Sequence, residues 1–387
     1  MKILYHHRIR SKDGQSVHLE ELIAALRALG NDVLIVGPGD IADESFGHDP
    51  KALNRLKRML PASIYEMLEL CYNVPAYFRI RRAYNNFLPD FVYERHNLYL
   101  LAGIFLKMRT GVPLLLEVNA PLARERKNFG GLGMRGLAEW LEQWVWQSAD
   151  AVLPVTRVLA NEMVAAGVAR ERVEIVPNGI DHRKFAKDDF DVKQELHLTG
   201  KTVLGFTGFV RDWHGLDGII NLLSRHDVPE SLHFLVVGDG PAVADLKNQA
   251  KVNGVTHRVT FAGLIERDKI ARYVSAFDIA LLPKCVEYCS PLKLFEYMAL
   301  GKAIIAPDQA NIREGLTHQK SAVLFSSTVP GAMSDAILRV AADDGLRTKL
   351  GENAESLVEL QGYTWHHNAE RITKIGSAKV LQRNENL

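Results

Sequence analysis

At 387 residues, 47% hydrophobic and 24% charged, the chain has the composition of a globular protein long enough for two domains with sizeable cores. A formal net charge of +1 gives no global electrostatic case for nucleic acid, and three cysteines, Cys71, Cys285 and Cys289, are too few for a disulfide framework. The start, MKILYHHRIR, is too polar for a secretory signal and no run reaches the roughly 18 apolar residues of a membrane span, so the expected place is the cytoplasm or the face of a membrane.

Residues 2–5 read as a buried strand, followed by a polar loop, 6–16, that holds Asp13-Gly14. Leu19, Leu22, Ile23, Leu26 and Leu29 then recur at helical spacing up to Gly30, and 33–36 is a second strand. Strand, loop, helix, strand opens a parallel doubly wound sheet, in which ligands sit beyond the carboxyl ends of the strands. The 6–16 loop is therefore on the ligand side, with Gly14 either a plain turn glycine or a point of close backbone approach. Residues 48–85 read as helical and basic, with Lys51, Arg55, Lys57, Arg58, Arg79, Arg81 and Arg82. Strands at 91–93 and 114–116 lead into Glu94-Arg95-His96 and Glu117-Val118-Asn119. Glu117 and His96 are candidates for an acceptor side, with a structural hydrogen-bonding role as the competing reading. Arg124, Arg126 and Lys127 precede a helix bearing Trp140, Trp144 and Trp146. That pattern suits either a membrane-interface segment or a core helix behind a solvated basic loop. Strands at 151–155 and 173–176 complete this series. Asp189-Phe190-Asp191 falls in a polar linker with no strand leading into it, which argues against a metal site there.

The second half restarts the rhythm with apolar strands at 203–207, 234–237, 259–261, 279–282, 303–306 and 323–325, a second parallel sheet. A glycine-bearing stretch, Gly205 through Gly215, follows the first of them. The turn VVGDGP at 236–241 lacks the third glycine and the helix context of a dinucleotide fingerprint. Gly263-Leu264-Ile265 follows another strand. In KCVEYCSPLKLFEYMALGKAIIAP, 284–307, Ser290 suits an N-cap and Pro291 a first helical position, with Leu292, Phe295, Met298 and Ala299 at helical spacing before Gly301. Lys293 in the first turn opposes the helix dipole unless an anion binds there. Lys293 and Glu296 are thus either ligand-facing or an ordinary solvated pair. From 364 on, Trp365, Ala369, Ile372 and Ile375 mark a last helix.

SPLKLFEYMALGK, 290–302, resembles the donor-binding signature of family-4 glycosyltransferases, retaining sugar transferases of the GT-B fold. PNGIDHRKF, 177–185, resembles that family's interdomain connection, and the last helix its closing helix. The resemblance implies two Rossmann-like α/β domains facing across a cleft: 1–185 for the acceptor, with 364–387 packing back on it, and 195–363 for the nucleotide sugar. It implies that Ser290, Pro291, Leu292 and Lys293 face the nucleotide diphosphate, that Glu296 binds the ribose hydroxyls and that the loop of Gly14 approaches phosphate. Leu264 and Ile265 are expected to border the base. The chain also departs from the family. Tyr288 stands where a second glutamate is familiar, with Glu287 one place off, and Asn119 stands where many members have histidine. Phe209 and His214 replace an arginine and a lysine, which leaves Arg211 to supply the phosphate charge.

The expected function is retaining transfer of a hexose-type unit from a UDP- or GDP-linked donor to a glycan, lipid-linked or small-molecule acceptor, in polysaccharide or glycoconjugate biosynthesis. No cofactor or metal is expected, Glu117 and Glu287 are the candidate catalytic carboxylates, and contact with a membrane would run through the basic segments 51–82 and 124–127. Two alternatives stay open. A sugar-nucleotide epimerase of the same architecture would need a cluster of acid/base carboxylates, which the sequence does not display. A non-catalytic nucleotide-sugar-binding or assembly subunit is suggested by Tyr288, Phe209 and Asn119.

Overall fold

A computed structural model describes residues 1–9, 14–38, 60–185 and 191–385. Asp13, Lys51, Arg55, Lys57, Arg58, Asp189 and Phe190 lie outside the described residues. The alternation of short apolar runs with amphipathic segments folds into two parallel sheets, the architecture expected.

The first sheet is built from β1 (Lys2–His6), α1 (Gly14–Ala28), β2 (Asp32–Val36), α2 (Ala62–Cys71), α3 (Asn73–Phe87), β3 (Phe91–Arg95), α4 (Ala102–Thr110), β4 (Leu114–Val118), α5 (Leu122–Phe129), α6 (Arg135–Ser148), β5 (Ala151–Pro154) and α7 (Arg157–Ala165). Strand order is β2-β1-β3-β4-β5. Every residue of β3, β4 and β5 is buried, as helices on both faces of a parallel sheet require. The order reverses between β1 and β3, so the crevice of this sheet opens beyond His6 and Glu94, which are register partners.

The second sheet comprises β6 (Thr202–Thr207), α8 (Asp217–Leu223), β7 (Leu232–Val237), α9 (Val243–Val252), β8 (Val259–Gly263), α10 (Ile270–Ser275), β9 (Ile279–Leu281), α11 (Leu292–Ala299), β10 (Ala303–Pro307), β11 (Val323–Phe325), α12 (Ala332–Ala341) and α13 (Asp344–Leu360). Its order is β11-β10-β9-β6-β7-β8, which reverses between β6 and β9. Leu204, Phe206, Phe234 and Ile305 pack one face, and Val203, Leu235, Ala280 and Ile304 the other.

By its contacts the chain falls into two units, Met1–Pro177 with Tyr288–Ser290 and Trp365–Leu387, and Asn178–Glu287 with Pro291–Thr364. The last helix, α14 (Trp365–Glu385), belongs to the first unit. It lies along α1, with the Trp365 ring 4.9 Å from that of His18 and the Asn31 amide donating to Thr373 Oγ1 at 3.3 Å. Gly376 lets it press on Phe91, whose ring a Cβ there would meet at 2.4 Å.

Four local expectations need correction. The 173–176 run forms no strand; Val173 makes a single parallel bridge to Val152. β3 and β4 run on through Glu94-Arg95 and Glu117, because these polar side chains find partners where the sheet buries them. Gly14 opens α1 instead of sitting in a loop. Helix α11 begins at Leu292, with Pro291 extended (φ −72°, ψ 120°) at the N-cap and Ser290 outside the helix. A residue before proline is itself pushed toward extended backbone, which carries Ser290 out of capping position. Among the described residues no helix is long and apolar enough to cross a membrane.

Two glycines of helices test the packing. An added Cβ at Gly351 of α13 would stand 2.0 Å from the carbonyl oxygen of Gly301, whereas one at Gly136 of α6 meets nothing within 4 Å. Gly351→Ala should destabilise the fold by about 1–3 kcal/mol through forced backbone shift. Gly136→Ala should stabilise it by about 0.4–1 kcal/mol, because it restricts the unfolded chain. Urea midpoints that move the same way for both would contradict this packing.

Candidate functional site

In the second unit the reversal between β6 and β9 puts the loop after β6 at the sheet's crevice. Gly208 takes φ +123° there, and Gly238, after β7, φ +134°. A Cβ on Gly238 would lie 2.1 Å from the Gly208 oxygen, and one on Gly240 2.2 Å from that of Val210. The two loops thus rest backbone on backbone, which only glycine permits. This is what the VVGDGP turn does.

Lys293, in the first turn of α11, reaches back over this loop. Its ammonium stands 3.8 Å from the centroid of the Phe206 ring, and a Cβ on Gly208 would meet Nζ at 3.1 Å. Arg211 is exposed, its guanidinium 4.9 Å from the Phe209 ring centroid. His214 is buried between Phe206 and Trp213, ring centroids 5.1 and 4.0 Å away, and its Nδ1 accepts the Arg211 backbone N–H at 3.1 Å. Burial, then the charges of Lys293 and Arg211, push its pKa down to about 2. His214 is therefore a neutral clasp that shapes the loop, and the cations here are Lys293 and Arg211. Pro291, at the N-cap, has no side chain that could cap α11, whose first amides and positive dipole end accompany the ammonium.

Glu296, one turn further along α11, is 5% exposed. Its carboxylate is paired with the guanidinium of Arg267, which also lies 5.1 Å from the centroid of Phe185. Arg267 follows β8 by way of Gly263 (φ +73°), exposed Leu264 and half-buried Ile265, so these residues and Glu296 belong to one locality. The sequence reading missed Arg267. Its signal was indirect: a carboxylate on the buried side of a helix demands a cation.

Glu287 is exposed. Tyr288 is buried, the Arg124 guanidinium 5.0 Å from its ring centroid, and its carbonyl accepts from Thr156 Oγ1 at 2.9 Å. Both Tyr288 and Ser290 group with the first unit, Leu292 and Lys293 with the second.

The first unit carries a buried polar cluster at the carboxyl ends of β1, β3 and β4. Glu117, 2% exposed, is its hub. Oε2 accepts from Tyr5 at 3.2 Å and Tyr93 at 3.0 Å, with His18 Nε2 at 3.3 Å. Oε1 accepts from Arg95 and from the Asn119 amide. Burial alone would raise the Glu117 pKa, but His18 and Arg95 outweigh it and hold the carboxyl well below the usual range. Burial, then Glu117, pushes the Tyr5 and Tyr93 hydroxyls up. A carboxylate so held stays ionised. The same carboxylate fixes Asn119, turning its Nδ2 inward.

Two further buried acids of this unit each meet a histidine. Glu94 binds His6 Nδ1 at 2.5 Å, and Glu142 binds His96 Nε2 at 3.1 Å. Gly103 of α4 leaves room for the first of these pairs, since a Cβ there would fall 2.2 Å from Glu94 Oε2. Among the described residues no three His, Cys, Asp or Glu side chains are gathered so as to hold a metal ion.

The buried histidines set an acid limit. Burial, then His6, holds His7 at about 4; burial, then Lys201, holds His233 at about 4, and His214 stands at about 2, all below the ordinary 6.5. A base with a depressed folded pKa stabilises the fold above its unfolded value and loses that contribution as pH falls toward the folded one. Stability should therefore decline from pH ~6.5 toward pH ~4, by up to about 1.4 kcal/mol per pH unit for each histidine. His233→Asn should flatten the slope. Urea-derived stabilities unchanged between pH ~7 and ~4.5 would contradict it.

Residues 12–184 match the family model described as Glycosyltransferase Family 4, and residues 201–343 that of Glycosyl transferases group 1. An uncharacterized glycosyltransferase of Methanocaldococcus jannaschii is 24% identical over 316 residues, 79% of this chain and 80% of that protein. An alpha-D-kanosaminyltransferase of Streptomyces kanamyceticus is 24% identical over 269 residues, 67% and 68% of the two chains. Among solved structures, Anabaena HepE in complex with UDP superposes with a TM-score of 0.78 at 17% identity, covering 98% of this chain and 100% of that one. The same protein in complex with UDP-glucose gives 0.75 at 18% identity, over the same shares. With one matched model lying on each parallel sheet, and the whole fold shared with such structures, this chain belongs to the family-4 glycosyltransferases and has their GT-B architecture.

Proposed function

We propose that this glycosyltransferase moves a hexose-type unit from a UDP-linked sugar, with retention at the anomeric carbon, to a glycan, lipid-linked or small-molecule acceptor in polysaccharide or glycoconjugate synthesis. The observation that carries the donor reading is Lys293, whose ammonium lies against the Gly208 loop where the strand order of the second sheet reverses. A diphosphate there meets Lys293, Arg211 and the first amides of α11, fixed positive groups aimed at the charge that develops on the leaving group. These charges serve in place of a divalent ion. HepE's complexes with UDP and UDP-glucose support uridine as the base. Leu264 and Ile265 border that base, and Glu296, steadied by Arg267, accepts from the ribose hydroxyls. Glu287, exposed on the loop ahead of α11, is left as the candidate carboxylate on the sugar side.

The packing of Tyr288 against Arg124, where the family pattern has a glutamate, favours a second reading, a subunit that binds the donor without transferring it. Release of free sugar from UDP-sugar by the purified chain decides against that reading.

Lys293→Ala and Arg211→Ala should each weaken UDP binding roughly ten- to a hundredfold, the loss of a charge-assisted contact, and leave uridine binding nearly unchanged. Calorimetry in excess EDTA should return the same UDP affinities as without it. Affinities that collapse on chelation, or that ignore both substitutions, would overturn the phosphate assignment.

Glu296→Gln keeps the shape of the side chain and removes its charge. Wild type should prefer UDP over 2′-deoxy-UDP, and the variant should lose most of that preference. Undiminished discrimination would place the ribose anchor elsewhere.

A further inference from the structure

The helices of the first unit carry an apolar surface that the donor reading does not use. On α2, Ile64 and Leu68 are exposed one turn apart. Phe78 of α3 is 66% exposed, and Phe105 and Met108 of α4, the latter 72% exposed, also share a helical face. On α6, Trp140 is 59% exposed and stacks on Trp144 at 6.5 Å; Trp144 in turn lies 6.2 Å from Phe105. The rings of Phe105, Trp144 and Trp140 join α4 to α6, α3 packs on α4, and α2 runs directly into α3, so these side chains lie on helices that neighbour one another. Ile64, Leu68, Phe78, Met108 and Trp140 repeat at turn spacing or stand beside a neighbour that does, as expected of helices built to lie against something apolar.

Charge says what that something is. Between residues 62 and 148, Arg79, Arg82, Arg109, Arg124, Lys127 and Arg135 are exposed, and Glu139 is the one exposed acid. Of the cations, Arg124 is paired with Glu162. Arg79 adjoins Phe78, Arg82 lies one turn beyond it, and Arg109 adjoins Met108, so positive charge borders the apolar side chains directly. The whole chain is nearly neutral at +1, so this is a local concentration. Large apolar and Trp side chains bordered by arginine suit the headgroup boundary of a bilayer, with the rings at the interface and the cations on anionic headgroups.

We propose that the face formed by α2, α3, α4 and α6 seats the first unit on an anionic lipid surface. The inference goes beyond the donor reading and does not rest on it. It narrows the acceptor to one presented at a membrane, such as a lipid-linked glycan.

The test uses the full chain in co-sedimentation with vesicles of phosphatidylcholine alone and of phosphatidylcholine mixed with phosphatidylglycerol. Binding should need the anionic lipid and weaken with salt. Arg82→Gln and Arg109→Gln should each weaken it roughly fivefold, and Phe78→Glu with Met108→Glu by roughly tenfold or more. UDP affinity, measured by calorimetry on the same variants, should stay at the wild-type value, which shows them folded and keeps the donor reading separately testable. Absence of vesicle binding in the wild type, or binding that ignores these substitutions, would overturn the proposal. So would a wild type that self-associates in ultracentrifugation without binding vesicles and becomes monomeric in the Phe78/Met108 variant, because the face would then belong to a protein contact.

Discussion

A parallel strand must be followed by a crossover, and where neighbouring strands send their crossovers to opposite faces the sheet leaves a gap above their carboxyl ends. This constraint acts twice in the chain. In the second sheet it falls between β6 and β9, and the segments that leave those two strands are the Gly208–Gly215 loop and the stretch into α11. In the first it falls between β1 and β3, beyond which stand His6, Glu94 and, one strand over, Glu117. The chemistry-bearing residues gather at strand ends because that is where such a sheet has room for polar groups.

Room for polar groups is also a demand for partners. A carboxylate withdrawn from water costs several kcal/mol unless cations and donors replace the lost hydration. Glu296 meets this with Arg267, and Glu117 with Arg95, His18, two tyrosines and Asn119. The two outcomes differ. Glu296 is paired with Arg267, a side chain that is itself partly exposed, so in the proposed reading a ligand hydroxyl can join the pair. Glu117 is enclosed, and what it offers is rigidity: Asn119, half-exposed beside it, is held in one orientation.

Legibility in the sequence followed how local each feature was. Apolar runs bounded by polar or glycine residues located the strands of both sheets, and the 3.6 spacing located α1, α11 and α14. The run at 173–176 misled because its apolar character reports burial, and burial does not require a ladder: Val173 and Val176 are buried with a single bridge between them and the sheet. Lys293 and Glu296 stood out by spacing on one helix. Arg267 did not, since it lies 29 residues from Glu296. The Glu117 hub was invisible for the same reason, its partners coming from β1, α1, β3 and the end of β4. Aromatics on α4 and α6 could be seen as residues, but only the packing shows that Phe105, Trp144 and Trp140 adjoin.

The departures at Phe209 and His214 become intelligible together. A lysine at 214 would sit where this chain buries an imidazole beside Lys293 and Arg211, and a third positive charge in that space would carry both a desolvation cost and repulsion from the other two. The imidazole avoids this by staying neutral, and its Nδ1 takes up the Arg211 amide that the tight turn turns inward. Phe209 then gives Arg211 a ring to lie on, and Phe206 does the same for Lys293. Positive charge is thus divided between a loop and a helix and steadied by aromatic faces. In the proposed reading a departing diphosphate meets two cations whose positions are set before it forms, and the substitutions redistribute the family's charge without removing it.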